Sequence, residues 1–266
     1  MQARHALRLL LVATLSGVCA AALAGNNLEH ARKRKQLVVG VHYVVPAYQG
    51  GMKFRTPEAI DTALAQDLAA RLAQPLTTVQ ARGPVGKADV VLAALAHNDP
   101  LRDPLHRSAT VIPTGHVAGP MAIMRTDTDI KTWQQLKGRK VCLAEGGRYA
   151  GTLAANYGAI EMVKKAPADA LLALRTGECD AAVHDNTLLE ELIQLPEWKK
   201  FSARLPVGPR TTLAFVVPHT QTGTAAYLRQ VTRDWAAKAY AEQLTKKAVR
   251  HIAFEVYLDQ DVPDCH

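Results

Sequence analysis

The common signatures of catalysis are missing from this chain. It has no Gly-x-Ser-x-Gly, no His-Glu-x-x-His and no Cys-x-x-Cys, so the nucleophile elbow, the helical zinc pair and the paired-thiol motif are not available as starting points. Ten histidines are scattered, and none forms a helical ligand pair; no metal and no cofactor is expected. There is no internal repeat, no long low-complexity linker and, past the first segment, no second apolar span. Cysteine is sparse, with only Cys19, Cys142, Cys179 and Cys265.

What is present begins with a targeting pattern. Arg4 and Arg8 precede an apolar stretch from Leu9 to Leu23, and Ala22-Leu23-Ala24 is the small-x-small pattern that a signal peptidase reads. The stretch is about 15 residues and a spanning helix needs roughly 20. Residues 1–24 are therefore expected to be a cleaved signal peptide, with export across the inner membrane to the periplasm. A membrane anchor is the alternative, as is a lipid-bearing Cys19, for which Val18 is a bulky neighbour. Processing would leave Cys142, Cys179 and Cys265 in a compartment where disulfides persist, with one pair and one remainder as the simplest arithmetic.

The whole chain has 32 basic and 24 acidic residues. Removing residues 1–24 takes away two arginines and no acids, leaving 30 basic against 24 acidic and a charge of +6. Part of it lies in Arg32-Lys33-Arg34-Lys35, read here as a solvated N-terminal arm. No aromatic residue interleaves with this run, so nucleic acid is not an expected partner. A bias toward anionic ligands remains.

Leu37 to Val41 is a short β-rich run ended by Val45-Pro46. From Glu58 to Ala73, Ile60, Leu64, Leu68 and Leu72 recur every fourth position as a helix stripe behind Thr56-Pro57-Glu58. Further strands are expected at Ala88 to Ala94, Met121 to Met124, Lys140 to Leu143, Cys179 to Val183 and Leu213 to Val217. Helices are expected at Tyr149 to Tyr157, Ala168 to Thr176, Thr187 to Leu195 and Thr222 to about Val249. This alternation predicts an α/β fold with mainly parallel sheets. Ligands of open α/β sheets bind beyond the carboxyl ends of strands, which directs attention to the loops after Val41, Ala94, Leu143 and Val183.

Four segments, taken in order, resemble the periplasmic solute-binding proteins of family 3, the amino-acid ABC transporter type. They are Leu37-Val38-Val39-Gly40-Val41 with Pro46; Ala59 to Ala65; Gly86-Lys87-Ala88-Asp89-Val90-Val91; and Leu136-Lys137-Gly138-Arg139-Lys140-Val141 followed by Ala170 to Asp185. The resemblance spans nearly all of the chain past residue 24. It implies a two-lobed type II periplasmic-binding-protein fold with two hinge crossings, a first lobe of 36–118 plus about 216–266, and a second of 119–215. It also implies a monomer that captures a small polar solute, an amino acid or related organic acid, for the membrane permease of an ABC importer.

Some family members carry cysteines at the positions of Cys142 and Cys179, so a disulfide joining two strands of the second lobe is expected, with two buried free thiols as the alternative. It would close a loop of about 37 residues, worth roughly 4 kcal/mol in a chain-entropy model.

The resemblance assigns Asp185 to the ammonium of an amino acid, although Asp185-Asn186-Thr187 also reads as a helix start with Asp185 its cap. His184 is its neighbour. For a carboxylate, Arg102 and Arg107 compete for one position, and Ala96 stands where a hydroxyl is expected. Glu145-Gly146-Gly147-Arg148-Tyr149 resembles the family's ligand loop and lacks the glycine spacing of a dinucleotide or phosphate loop. Tyr43 and Tyr48 are candidate cleft walls. Two alternatives accompany this reading: a periplasmic dehydratase of prephenate or arogenate type, using Glu145, His184 or Asp185 as acid or base, and a sensor or orphan binder without an importer. The span from Gln74 to Val85 is short for the family, which predicts a trimmed first lobe.

Overall fold

The structure is a computed structural model, and it describes residues 26–51, 53–81, 88–97 and 109–260. The expected signal peptide, Arg102, Arg107 and Cys265 lie outside the described residues.

Two five-stranded sheets organise the chain. The first contains β1 (Leu37–Val41), β2 (Leu76–Gln80), β3 (Val90–Ala96), β4 (Ala109–Ala118) and β10 (Thr211–Pro218), in the order β2-β1-β3-β10-β4. The second contains β5 (Pro120–Met124), β6 (Lys140–Ala144), β7 (Ile160–Lys164), β8 (Ala181–Asp185) and β9 (Ala203–Arg204), in the order β7-β6-β8-β5-β9. Both sheets are mixed rather than mainly parallel. β1 is parallel to β2 and β3, and β6 to β7 and β8, whereas β10 runs antiparallel to β3 and β4, and β5 to β8 and β9. The antiparallel members are those that enter or leave a sheet at the crossings, where a strand arrives from the other lobe.

Helices cover the sheets: α1 (Asn26–Arg34), α2 (Ile60–Arg71), α3 (Thr152–Tyr157), α4 (Pro167–Arg175), α5 (Asn186–Leu192), α6 (Thr222–Ala237) and α7 (Tyr240–Leu258). The α2 stripe is as its spacing requires, with Leu64 and Leu68 fully buried beside Val39 and Val41 of β1. The basic run is not a free arm. It ends α1, whose Leu28 and Ala31 enter the first core, and Arg34 grips Asp89 through two bonds of 2.9 and 2.8 Å. The long helical region near the C terminus is two helices, broken at Ala239 with φ +47°.

Two chain crossings join the lobes, at Gly119 between β4 and β5 and at residues 205–210 between β9 and β10. They lie against each other: the Gly208 amide donates to Pro120 O at 2.9 Å, and a Cβ on Gly119 would stand 2.8 Å from Gly208 O. Asn186 secures one crossing, its amide donating to Gly119 O and its Oδ1 accepting from the Gly119 amide, both at 2.9 Å.

Each sheet has its own main core, with smaller clusters around Val216 in the first and Leu143 in the second. Phe215, Trp235 and the α2 leucines fill the first, and Trp198, Phe201 and the α4 and α5 leucines fill the second. Cys142 and Cys179 form a disulfide in the second, with Cα atoms 5.9 Å apart and 37 residues between them in sequence. The C-terminal stretch, expected to pack on the first lobe, divides between the two. Helix α6 and the start of α7, at Tyr240 and Leu244, pack on the first core, while Val249, Ile252, Ala253 and Val256 belong to the second.

Candidate functional site

Strand ends from both sheets meet across the space between the lobes. β1 leads into His42 and Tyr43, β4 carries His116, β6 leads into the loop Glu145 to Tyr149, and β8 ends at Asp185. The approach to α2 adds Glu58 and its first turn adds Asp61. Around them lies a cavity of about 340 Å³, bounded also by α7 through Leu244, Lys247 and His251.

Gly146 closes one side. Its φ is +80°, and a Cβ there would lie 2.4 Å from the Tyr43 ring, so both the backbone and the contact require glycine. On the far side of this contact is a second cavity of about 350 Å³, which reaches Gln80, Ala81, Gly147 and Ala150. Burial and the adjacent Glu145 carboxylate push the Tyr43 hydroxyl pKa up.

Asp185 is the charged centre. It is 7% exposed, and it is the N-cap residue of α5 without any cap bond from its side chain. Oδ1 instead accepts from the Tyr149 hydroxyl at 2.5 Å. Oδ2 faces His116 Nε2 at 3.6 Å and Arg148 Nη1 at 3.7 Å. Burial acts to raise the Asp185 pKa, but His116, Arg148 and Tyr149 together outweigh it and hold the carboxyl below its usual range. Tyr149 is driven far upward by its own burial and by the charge of Asp185, so it remains a donor.

The other acids are also engaged. Glu58 Oε2 pairs with His184 Nδ1 at 2.8 Å, a contact between residues 126 apart that ties the lobes together. Asp61 accepts from the amides of His42 and Thr62, each at 2.8 Å. Thr56, on the cavity lining, donates through its amide and hydroxyl to Glu255 of α7, at 2.9 and 2.6 Å, and Arg55 Nε bonds Asp169 of α4 at 2.8 Å. Arg55 and Lys53 also pair with Asp259.

Of the residues singled out in the sequence, Asp185, Gly146 and Tyr43 line the main cavity and Gly147 the second one. His184 is fully buried behind the wall, on Glu58. Glu145 is exposed beside Tyr43. Tyr48 is 64% exposed and pairs with Phe54, at a ring distance of 6.4 Å, away from both cavities. Glu58, Asp61 and His116 were not expected. They come from helix-start and strand positions with no motif of their own, although His116 does sit on the polar side of an alternating strand. Among the described residues, no group of three His, Cys, Asp or Glu side chains is placed to hold a metal ion. Nor is any helix among them long and apolar enough to cross a membrane.

Two mixed sheets joined by two crossings, with a cavity of apolar walls and a few charged groups between them, define the two-lobed fold of the type II periplasmic binding proteins. No family model and no curated protein matches the chain. Solved structures do. A mutant of ArgBP from T. maritima aligns with a TM-score of 0.55 at 19% identity, covering 84% of this chain and 98% of that one. The amino acid ABC transporter substrate-binding protein AbpA from Streptococcus pneumoniae, bound to L-arginine, aligns with a TM-score of 0.56 at 15% identity, covering 84% and 98%. AncCDT-1, an ancestral amino-acid-binding protein described as a precursor of cyclohexadienyl dehydratase, gives 0.55 at 16% identity, covering 84% and 100%. At these identities the likeness is one of fold.

Proposed function

We propose that this protein is a periplasmic solute-binding protein, a monomer that captures a small polar solute, an amino acid or related organic acid, and presents it to the permease of an ABC importer. The observation that carries the reading is the cavity between the lobes, into which Asp185, Arg148 and His116 direct buried polar groups from both sheets. Burying such charges is costly unless a partner repays it. A solute touching both lobes favours the closed arrangement by its higher affinity for that state, and the importer reads closure. The structural neighbours that bind amino acids support this. The export pattern of residues 1–24 and the Cys142–Cys179 disulfide support an oxidising, extracytoplasmic location. The lobes proposed are 36–118 with the return from Thr211, and 119–210, with α7 shared between them; the boundary near 215 expected from the sequence falls inside β10, which pairs throughout with the first sheet.

A thermal-shift screen against amino acids, dicarboxylates and aromatic acids tests it. A ligand that binds only the native state raises the midpoint, by an amount equivalent to about 2.7 kcal/mol at a hundredfold excess over Kd. A flat screen together with consumption of prephenate would replace binding by the dehydratase reading.

A further inference from the structure

The main cavity is lined by three carboxylates and by buried polar atoms that have no hydrogen-bond partner. Each carboxylate is held through at least one oxygen: Asp61 by two amides, Glu58 Oε2 by His184, and Asp185 Oδ1 by Tyr149, while Asp185 Oδ2 faces Arg148 and His116 without a hydrogen bond. The Thr62 hydroxyl, which can donate or accept, is buried on this lining without a hydrogen-bond partner, and two nitrogen donors share that state. Arg148 Nη1 and His116 Nε2 are buried without a hydrogen-bond partner, and the His116 side chain is only 5% exposed. Both lie just beyond bonding distance of Asp185 Oδ2, and both residues line the cavity.

A buried donor left unpaired costs about 1–3 kcal/mol, more when charged, so a ligand is selected by what it returns to these groups. An acceptor that reaches Arg148 and His116 satisfies both. An ammonium group would have to compete with Arg148 for Asp185 and would stand beside a guanidinium at close range. Lys247 and His251 of α7 line the same cavity and add no acceptor of negative charge.

We infer that the solute is a carboxylate without an α-amino group, its carboxylate accepting from Arg148 and His116 while Asp185 acts as the fixed counter-charge of Arg148. This rests on the solute-binding reading and departs from the ammonium role that family resemblance gives Asp185. Arg148 thereby sets specificity: with it in place Asp185 is spent, and without it Asp185 is free to take an amine.

The test is calorimetric titration of the purified protein with matched pairs: L-aspartate and succinate, L-glutamate and glutarate, L-phenylalanine and 3-phenylpropionate, L-arginine and 5-guanidinopentanoate. In at least one pair the deamino acid is expected to bind ten times or more tighter than its amino acid. R148Q is expected to weaken the deamino acid at least tenfold and to narrow or reverse the preference within that pair. An amino acid that binds more tightly than its deamino partner overturns the inference and leaves the solute-binding reading standing. If no member of any pair binds, both fail. Because the comparison within a pair uses the unaltered protein, a poorly folded variant does not decide the outcome.

Discussion

The two sheets follow one strand plan, β2-β1-β3-β10-β4 against β7-β6-β8-β5-β9, but the lobes built on them are held together differently. In the first, Trp235 lies between Phe215 and Tyr240, at ring distances of 5.8 and 6.0 Å, and its Nε1 donates to Asp67 at 2.7 Å. In the second, Trp198 packs on Phe201 at 6.1 Å beneath the Arg175 guanidinium, and a disulfide ties β6 to the start of β8. The same lobe supplies Arg148, Tyr149 and Asp185. Clustered buried charges need fixed surroundings, since their mutual attraction repays desolvation only in good geometry. The crosslinked lobe carries most of the Asp185 cluster, and the first lobe adds His116 and buries Asp61 and Asp89 without a crosslink.

The largest expected effect would break the picture of two separate bodies. W235A and W198A should each cost about 3–5 kcal/mol, although their cores belong to different lobes. Because α7 contributes to both cores, scanning calorimetry is expected to show one cooperative transition displaced by either change. Two transitions, with only one moving per variant, would show the lobes to be energetically independent.

Removing the crosslink sharpens the contrast. The double replacement C142A with C179A should cost about 2–4 kcal/mol in chemical denaturation. A variant as stable as the parent would show that the second lobe does not depend on its disulfide.

The smallest effect comes from acid. Asp185 has a folded pKa below its usual 3.8, so its contribution is fully present above that value and is lost as pH falls through the lower folded value. The parent should therefore lose more stability between pH 5 and pH 3 than D185N does. Equal losses would mean that Asp185 gains nothing from Arg148, His116 and Tyr149.

Much of the fold was legible. The runs at Leu37, Lys140 and Leu213 and the four-residue stripe of α2 are local signals of strand and helix, and they fall where the elements form. What escaped is instructive. β4 is ten residues long, yet Pro113 and Gly115 on its exposed side and the polar Thr114 and His116 on its buried side disguise it; as the edge strand it pairs only with β10, which lets it carry a proline. β7 is a half-exposed edge strand whose Ile160 and Val163 are exposed, so its five residues show no buried alternation to mark them. The break at Ala239 leaves no mark, since a left-handed alanine has no sequence signal of its own. In the site, Asp185 and Gly146 follow from the rule that ligands gather at strand ends. Glu58 and His116 reach the cavity through the pairing of distant segments, which local pattern cannot encode. For the single arginine expected to meet a carboxylate the sequence offers Arg102 or Arg107; Arg148 stands in the ligand loop, but its place beside Asp185, 37 positions later in the chain, is set by the fold.

One mechanical consequence follows from α7. Its 19 residues extend for about 28 Å at 1.5 Å per residue, seated at one end in the first core and along its second half in the other. It works as an axle between two wheels. A swing of one lobe must roll the helix in its seat or bend it, so the hinge at Gly119 and Gly208 does not turn alone. Tension applied at the C terminus would draw out this axle before it loaded either sheet, and the lobes would then be joined by their two crossings and by the polar contacts across the cavity.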